Sequence, residues 1–301
     1  MPHEPRPDPA PPTPWTRRRV LGTTALVSAT LLSGCPRHDE PVPGDALARL
    51  RRTGVARLAV AGEEPFGFVD ADGELTGAMP QIARQVLAAI GVARIEPLVI
   101  SFDSLIDAVL SGSADIVAAG MSITAPRCTR VAFTRPDFLL PQALGVRGGN
   151  PLGLTDYDSI AAQPGIRLGV LAGAVETGYA TAAGIPAERI IAFTGPDQLT
   201  TAVIAGDIDA FALTSLSVRR LVATAAPAAL DVTPSFTPVV DGTPRLERGA
   251  MAFHPEAGDL IDAYAAAAAD LRRSGAITRI LRVWGYEDQE IADDTEKGCS
   301  P

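Results

Sequence analysis

Apolar positions along the chain change their spacing at regular intervals. Ala56 to Ala61 is a short, mostly apolar run, whereas Met79, Ile82, Ala83, Val86, Leu87 and Ile90 recur at the spacing of one helix face, closed by Gly91. The same alternation continues with a strand at Ile95 to Ile100, a helix through Leu105, Ile106, Val109 and Leu110, and a strand at Asp115 to Ala119. A strand-like run from Leu139 to Val146 leads into the breaker cluster Gly148-Gly149-Asn150-Pro151, and the pattern then restarts. The second set comprises strand Ile166 to Leu171, a helix ending at Gly184, strand Ile190 to Phe193, helix Pro196 to Ala205, strand Ile208 to Leu213 and a helix capped by Thr214 or Ser215. Residues 227 to 248, with four prolines, bring the chain back to Gly249–Phe253, and helices Ala257 to Ser274 and Ala276 to Trp284 follow. Helices alternating with short apolar strands predict mostly parallel sheets with covered faces, in two successive α/β units.

The ends read differently. Thr16-Arg17-Arg18-Arg19 precedes an apolar run from Val20 to Leu32 and then Leu32-Ser33-Gly34-Cys35, the order of parts in an export signal. The arginine pair resembles a twin-arginine signal, and Leu-Ser-Gly-Cys resembles a bacterial lipobox. That resemblance makes Cys35 the lipid-carrying first residue of a mature protein on the outer face of the cell membrane or in the periplasm. The expected layout is residues 1–35 signal, 36–54 tether and short helix, 55–145 first lobe, 146–247 second lobe, 248–286 return to the first, and 287–301 a loose polar tail.

Composition narrows the partners. The 301 residues are 47% hydrophobic and 20% charged, a balance that builds cores, and the formal net charge of −9 makes nucleic acid a poor partner. Three histidines, His3, His38 and His254, are scattered, so no metal and no other cofactor is expected. Besides Cys35 the thiols are Cys128 and Cys299; an oxidising exterior permits them to pair, but their spacing leaves the geometry open.

Candidate chemistry concentrates between Asp115 and Phe138. There a strand delivers Gly120, Ser122 and, five residues later, Arg127 to one mouth. A guanidinium fork beside a hydroxyl and free N–H groups makes a carboxylate receptor. Glu63, between Gly62 and Pro65, sits with Phe66 in a loop leaving a strand's carboxyl end, where α/β folds bind ligands. Phe102 holds an equivalent position before the second helix. Ala174, Val175 and Glu176 form a strand-to-helix turn, whose N–H groups are placed to meet a carboxylate. No Ser-His-Asp or Cys-His arrangement, nucleophile elbow or phosphate loop accompanies them, and the chain is read as a binding protein, not an enzyme.

With these motifs in place, residues 55 to 286 resemble the family-3 extracellular solute-binding proteins of ABC importers. Gly120-Met-Ser122-Ile-Thr-x-x-Arg127 and the downstream Val131-Ala132-Phe133 carry the likeness. It implies a type II periplasmic-binding-protein fold, two α/β lobes with two hinge crossings that close on a ligand, as a monomer partnered by permease subunits. It also implies that Arg127 takes a ligand carboxylate beside Ser122 and Gly120. Within the family the chain is most similar to ectoine and 5-hydroxyectoine receptors, through Glu63-x-Pro65-Phe66, Phe102, Arg127-Cys128 with Val131-Ala132-Phe133, and Gly173-Ala174-Val175-Glu176 followed by Gly178-Tyr179-Ala180. That resemblance implies Phe66 and Phe102 as faces for an amidinium and Glu63 as its partner. Thr214 stands where many amino-acid receptors of the family carry an aspartate for the α-ammonium. Ser122, by contrast, replaces a third aromatic and matches ordinary amino-acid binders. The expected ligand is a small zwitterionic compatible solute, with a polar amino acid as the alternative and a cyclohexadienyl-dehydratase-like enzyme on the same fold as a more distant one.

Overall fold

Two sheets organise the chain in a computed structural model that describes residues 45–225, 229–293, 295, 296, 298 and 299. The export signal, the tether and Cys35 lie outside the described residues. In the first sheet Val55–Val60 pairs in parallel with Arg94–Val99 and with Ile116–Ser122. Glu247–Phe253 lies antiparallel against Ile116–Ser122 and also pairs with Ala132–Phe133 and Phe138–Leu140. Every residue of Ile116–Ser122 is buried, as a strand covered on both faces must be. Helix Ala78–Ala89 supplies one cover by burying the apolar face read from its spacing.

The second sheet runs in the order Ile190–Phe193, Leu168–Leu171, Ala210–Thr214, Gln142–Arg147, Leu230–Val232. Its first three strands are parallel, and Gln142–Arg147 is antiparallel to both of its neighbours. Helices Glu176–Ala182, Pro196–Ala205 and Ser215–Ala225 follow these strands and bury Tyr179, Leu199 and Val218 respectively.

The first crossing falls earlier than the breaker cluster suggested. Phe138–Leu140 belongs to the first sheet and Gln142–Arg147 to the second, so the chain changes lobe at Pro141 and residues 142–145 leave the first lobe. Proline has no N–H to continue a ladder, and its carbonyl instead accepts the Ser215 N–H at 2.7 Å. The Gly148–Pro151 cluster is a loop within the second lobe, where the Asn150 side chain bonds the Leu154 N–H and carbonyl. On the return, Glu247 already pairs with Leu140.

The tail is also not loose over its described residues. Glu290 is buried and accepts hydrogen bonds from Ser215 and Arg219, Ile291 bridges to Phe138, and the Ala292 N–H donates to the Asp137 carbonyl at 3.1 Å. Farther on, Glu296 pairs with Arg248, and Cys299 is disulfide-bonded to Cys128 across 171 residues of sequence.

Candidate functional site

Five loops meet between the sheets, and each leaves the carboxyl end of a parallel strand. Glu63 and Phe66 follow Val55–Val60, Phe102 follows Arg94–Val99, and Arg127 follows Ile116–Ser122. From the second lobe, Ala174 to Glu176 follow Leu168–Leu171, and Thr214 ends Ala210–Thr214. Strand carboxyl ends are where an open α/β sheet leaves a crevice. These residues, with Gly120 and Ser122, line one cleft, to which Ala119, Leu171 and Leu213 add apolar wall. Such a crevice, apolar with a few convergent polar groups, is where a small solute binds.

Arg127 is positioned from its own backbone outward. The Thr124 side chain caps the short helix Ala125–Cys128 by accepting the Arg127 N–H, and Pro126 pre-sets the helical turn. The guanidinium then donates to the Ser122 carbonyl at 2.9 Å and, across the cleft, to the Gly173 carbonyl at 3.0 Å. It also lies 5.4 Å above the centre of the Phe102 ring. Phe102 therefore backs the arginine in this arrangement, where the sequence had it stacking on the ligand cation. Burial pulls the guanidinium below its ordinary pKa, opposed first by Glu176 and then by Glu247, and arginine keeps its charge regardless.

Phe66 has two roles. Its ring packs on Phe138 and Tyr286 with centres 5.9 and 6.2 Å away, and it is only 2% exposed while contributing an edge to the cleft. Gly120 makes room for it: φ is +66° there, and a Cβ would come within 2.2 Å of the Phe66 ring.

Two carboxyls oppose the arginine. Glu63 accepts a 2.5 Å hydrogen bond from the Ser217 hydroxyl, which is in turn 2.9 Å from Thr214 Oγ1. Glu176 heads the helix Glu176–Ala182. Burial raises both to about 7; the Ser217 hydrogen bond opposes this at Glu63, and the negative charge of Glu176 adds to it. At Glu176 the neighbouring Arg127 charge opposes burial. The Ala174 N–H, expected to face a carboxylate, donates to the Leu171 carbonyl at 3.2 Å and so serves the turn.

Sequence reasoning missed Ser217 and Glu247, and it noted Tyr179 only as part of the family likeness, without a role. Ser217 lies one helical turn beyond Thr214, a spacing that puts both on the face looking back over the strand ends. Tyr179 and Glu247 hydrogen-bond at 2.7 Å between the second-lobe helix and the return strand. No local pattern marks that pairing.

Residues 57–287 match the model of the bacterial extracellular solute-binding proteins, family 3. The chain belongs to that family. Among relatives of this family-3 protein is the "Probable amino-acid ABC transporter periplasmic-binding protein y4tE" of Sinorhizobium fredii, 30% identical over 253 residues and covering 83% of each chain. A crystal structure of EhuB in complex with hydroxyectoine superposes with a TM-score of 0.75 at 31% identity, covering 81% of this chain and 93% of that one. An ancestral arginine-binding protein bound to arginine shares the fold at 24% identity and a TM-score of 0.67, covering 77% of this chain and 99% of that one. The family-3 protein is therefore an exported solute-binding protein of an ABC transporter, with a type II two-lobed fold.

Proposed function

We propose that this receptor captures a small zwitterion with one carboxylate and one delocalised cation, ectoine or 5-hydroxyectoine, and hands it unaltered to permease subunits. The observation that carries this reading is a single cleft lined by Arg127, the two buried carboxyls Glu63 and Glu176, and the rings of Phe66 and Phe102, with an uncharged Thr214. Arg127 takes the carboxylate. Glu63 and Glu176 serve the amidinium, which tolerates desolvation between apolar walls better than a primary ammonium does. The hydroxyectoine complex of EhuB, a relative of comparable length, points the same way. In the same reading the receptor is a monomer held at the membrane by lipid on Cys35, as the Leu-Ser-Gly-Cys motif suggests.

One observation favours a second reading. Ser122 puts a small polar side chain in the cleft wall, which suits a polar amino acid, and the Sinorhizobium relative's name points to an amino acid of some kind.

A calorimetric panel of ectoine, 5-hydroxyectoine, glycine betaine, proline, arginine and glutamine decides between them. Ectoine binding that Arg127→Ala weakens by about 2–4 kcal/mol is expected, the loss typical of removing one member of a buried charge pair. Affinity should also rise with pH, by up to about tenfold per unit below 7 for each carboxyl that must ionise to meet the cation. Binding of arginine or glutamine with no heat from ectoine gives the site to the amino-acid reading, and turnover of prephenate would make it an enzyme.

A further inference from the structure

We propose that the C-terminal segment is a third tie across the hinge, with Glu290 as the positioning residue that governs how readily the lobes close on the solute. The inference rests on the clamp reading of the cleft but not on the ligand's identity.

The tie touches the chain on both sides of Pro141. On the first-lobe side Ile291 bridges to Phe138, and the Ala292 N–H donates to the Asp137 carbonyl. On the second-lobe side Glu290 accepts the Ser215 hydroxyl at 2.8 Å and the Arg219 guanidinium at 2.9 and 3.1 Å. Ser215 is itself a hinge residue, since its N–H is bonded to the Pro141 carbonyl. Glu290 is 3% exposed, and its second oxygen also accepts the Glu287 N–H at 2.9 Å, so the carboxylate is held in place from its own turn. A buried, charge-assisted contact of this kind is among the stronger ones a hinge can hold.

The far end of the segment reaches the binding site. Arg135 donates to the Asp293 carbonyl at 2.9 Å, Arg248 pairs with Glu296, and Cys299 is bonded to Cys128, the residue after Arg127. Two elements that must move together when a solute is clamped are thereby joined through one strap. These are helix Ser215–Ala225, whose Ser217 holds Glu63 across the cleft, and helix Ala125–Cys128, which presents Arg127. Hinge motion is absorbed by a few residues at element ends, and here the strap grips those ends directly.

The test compares wild type with Glu290→Gln and, separately, with Cys128→Ser/Cys299→Ser, using the ligand-free protein first. The glutamine keeps the shape but loses the charge that Arg219 faces. Expected are a larger radius of gyration by X-ray scattering and faster amide exchange confined to residues 138–142 and the first turns of helix Ser215–Ala225. Binding of whichever panel solute the wild type takes should weaken by about tenfold, through faster dissociation. A lower melting temperature with unchanged scattering, unchanged hinge exchange and unchanged affinity would show the segment to be packing alone and overturn the proposal. If the wild type takes neither ectoine nor any amino acid of the panel, the ligand assignment fails while scattering and exchange still decide the strap. Should the cysteine variant not fold, Glu290→Gln decides it by itself.

Discussion

Phe66 and Phe102 were equivalent in the sequence, each an aromatic in a loop at a strand's end, and the structure separates them. Phe66 is enclosed by Phe138 and Tyr286, so Phe66→Ala should cost about 3–5 kcal/mol of stability in the ligand-free protein, the range for emptying a buried aromatic site. Phe102 is half-buried and lies under the Arg127 guanidinium. Phe102→Ala should leave the ligand-free melting temperature nearly unchanged and weaken binding instead. Chemical denaturation and calorimetry on the two variants check the contrast; equal stability losses would return both rings to the core. That Arg127, Glu63 and Glu176 line the cleft was legible because the end of a short apolar strand places whatever follows it at the crevice, although Glu63 was singled out from its neighbour Glu64 only through the family resemblance. Ser217 was not, since a serine inside a helix is mute until the facing carboxyl is known.

Among the elements, the strand-to-helix turn at Gly173 has a role that spacing alone did not reveal. Its φ is +74°, and a Cβ there would lie 2.7 Å from the Asp103 Cβ and 2.8 Å from the Asp103 Cα, atoms of the opposite lobe. Glycine is thus required by the meeting of two lobes as well as by the turn. Gly173→Val should hold the lobes apart, weaken solute binding by at least about tenfold through lost cross-cleft contacts, and largely preserve each lobe's core; affinity equal to wild type would remove Gly173 from the closing surface. Most element boundaries were legible to within two residues because short continuous apolar runs, the mark of strands covered on both faces, alternate with helices of 3.6 spacing. The lobe crossing was not: Pro141 sits inside one continuous strand-like run, and the pairing of Leu140 with Glu247 and of Gln142 with Thr214 shows that the run is split between sheets. The described part of the polar tail was misjudged for a related reason. Its polar residues look solvated until Ser215, Arg219 and Arg248 are seen opposite them.

At the scale of the whole molecule, the buried carboxyls tie stability to pH. Glu63 and Glu176 ionise near 4.5 when unfolded and near 7 in the fold, and burial raises Asp137 as well. Between those values the folded chain binds more protons than the unfolded one, so their stabilising contribution is complete below about 4.5 and is lost as pH rises through 7. Asp115, whose burial is outweighed by Arg57 and Arg49, has the opposite sign but acts only below 3.8. The melting temperature of the ligand-free protein should therefore fall between pH 5 and pH 8, and Glu63→Gln or Glu176→Gln should each flatten that slope; a slope unchanged in both variants would mean neither group is buried as a proton store.

The Cys128–Cys299 bond makes a covalent ring. The whole second sheet lies between those two cysteines in the chain, so a peptide bond cut in any of its surface loops leaves two fragments that are still one covalently joined particle. A receptor exposed to proteases outside the cell would thus survive a single nick in that half without shedding either piece.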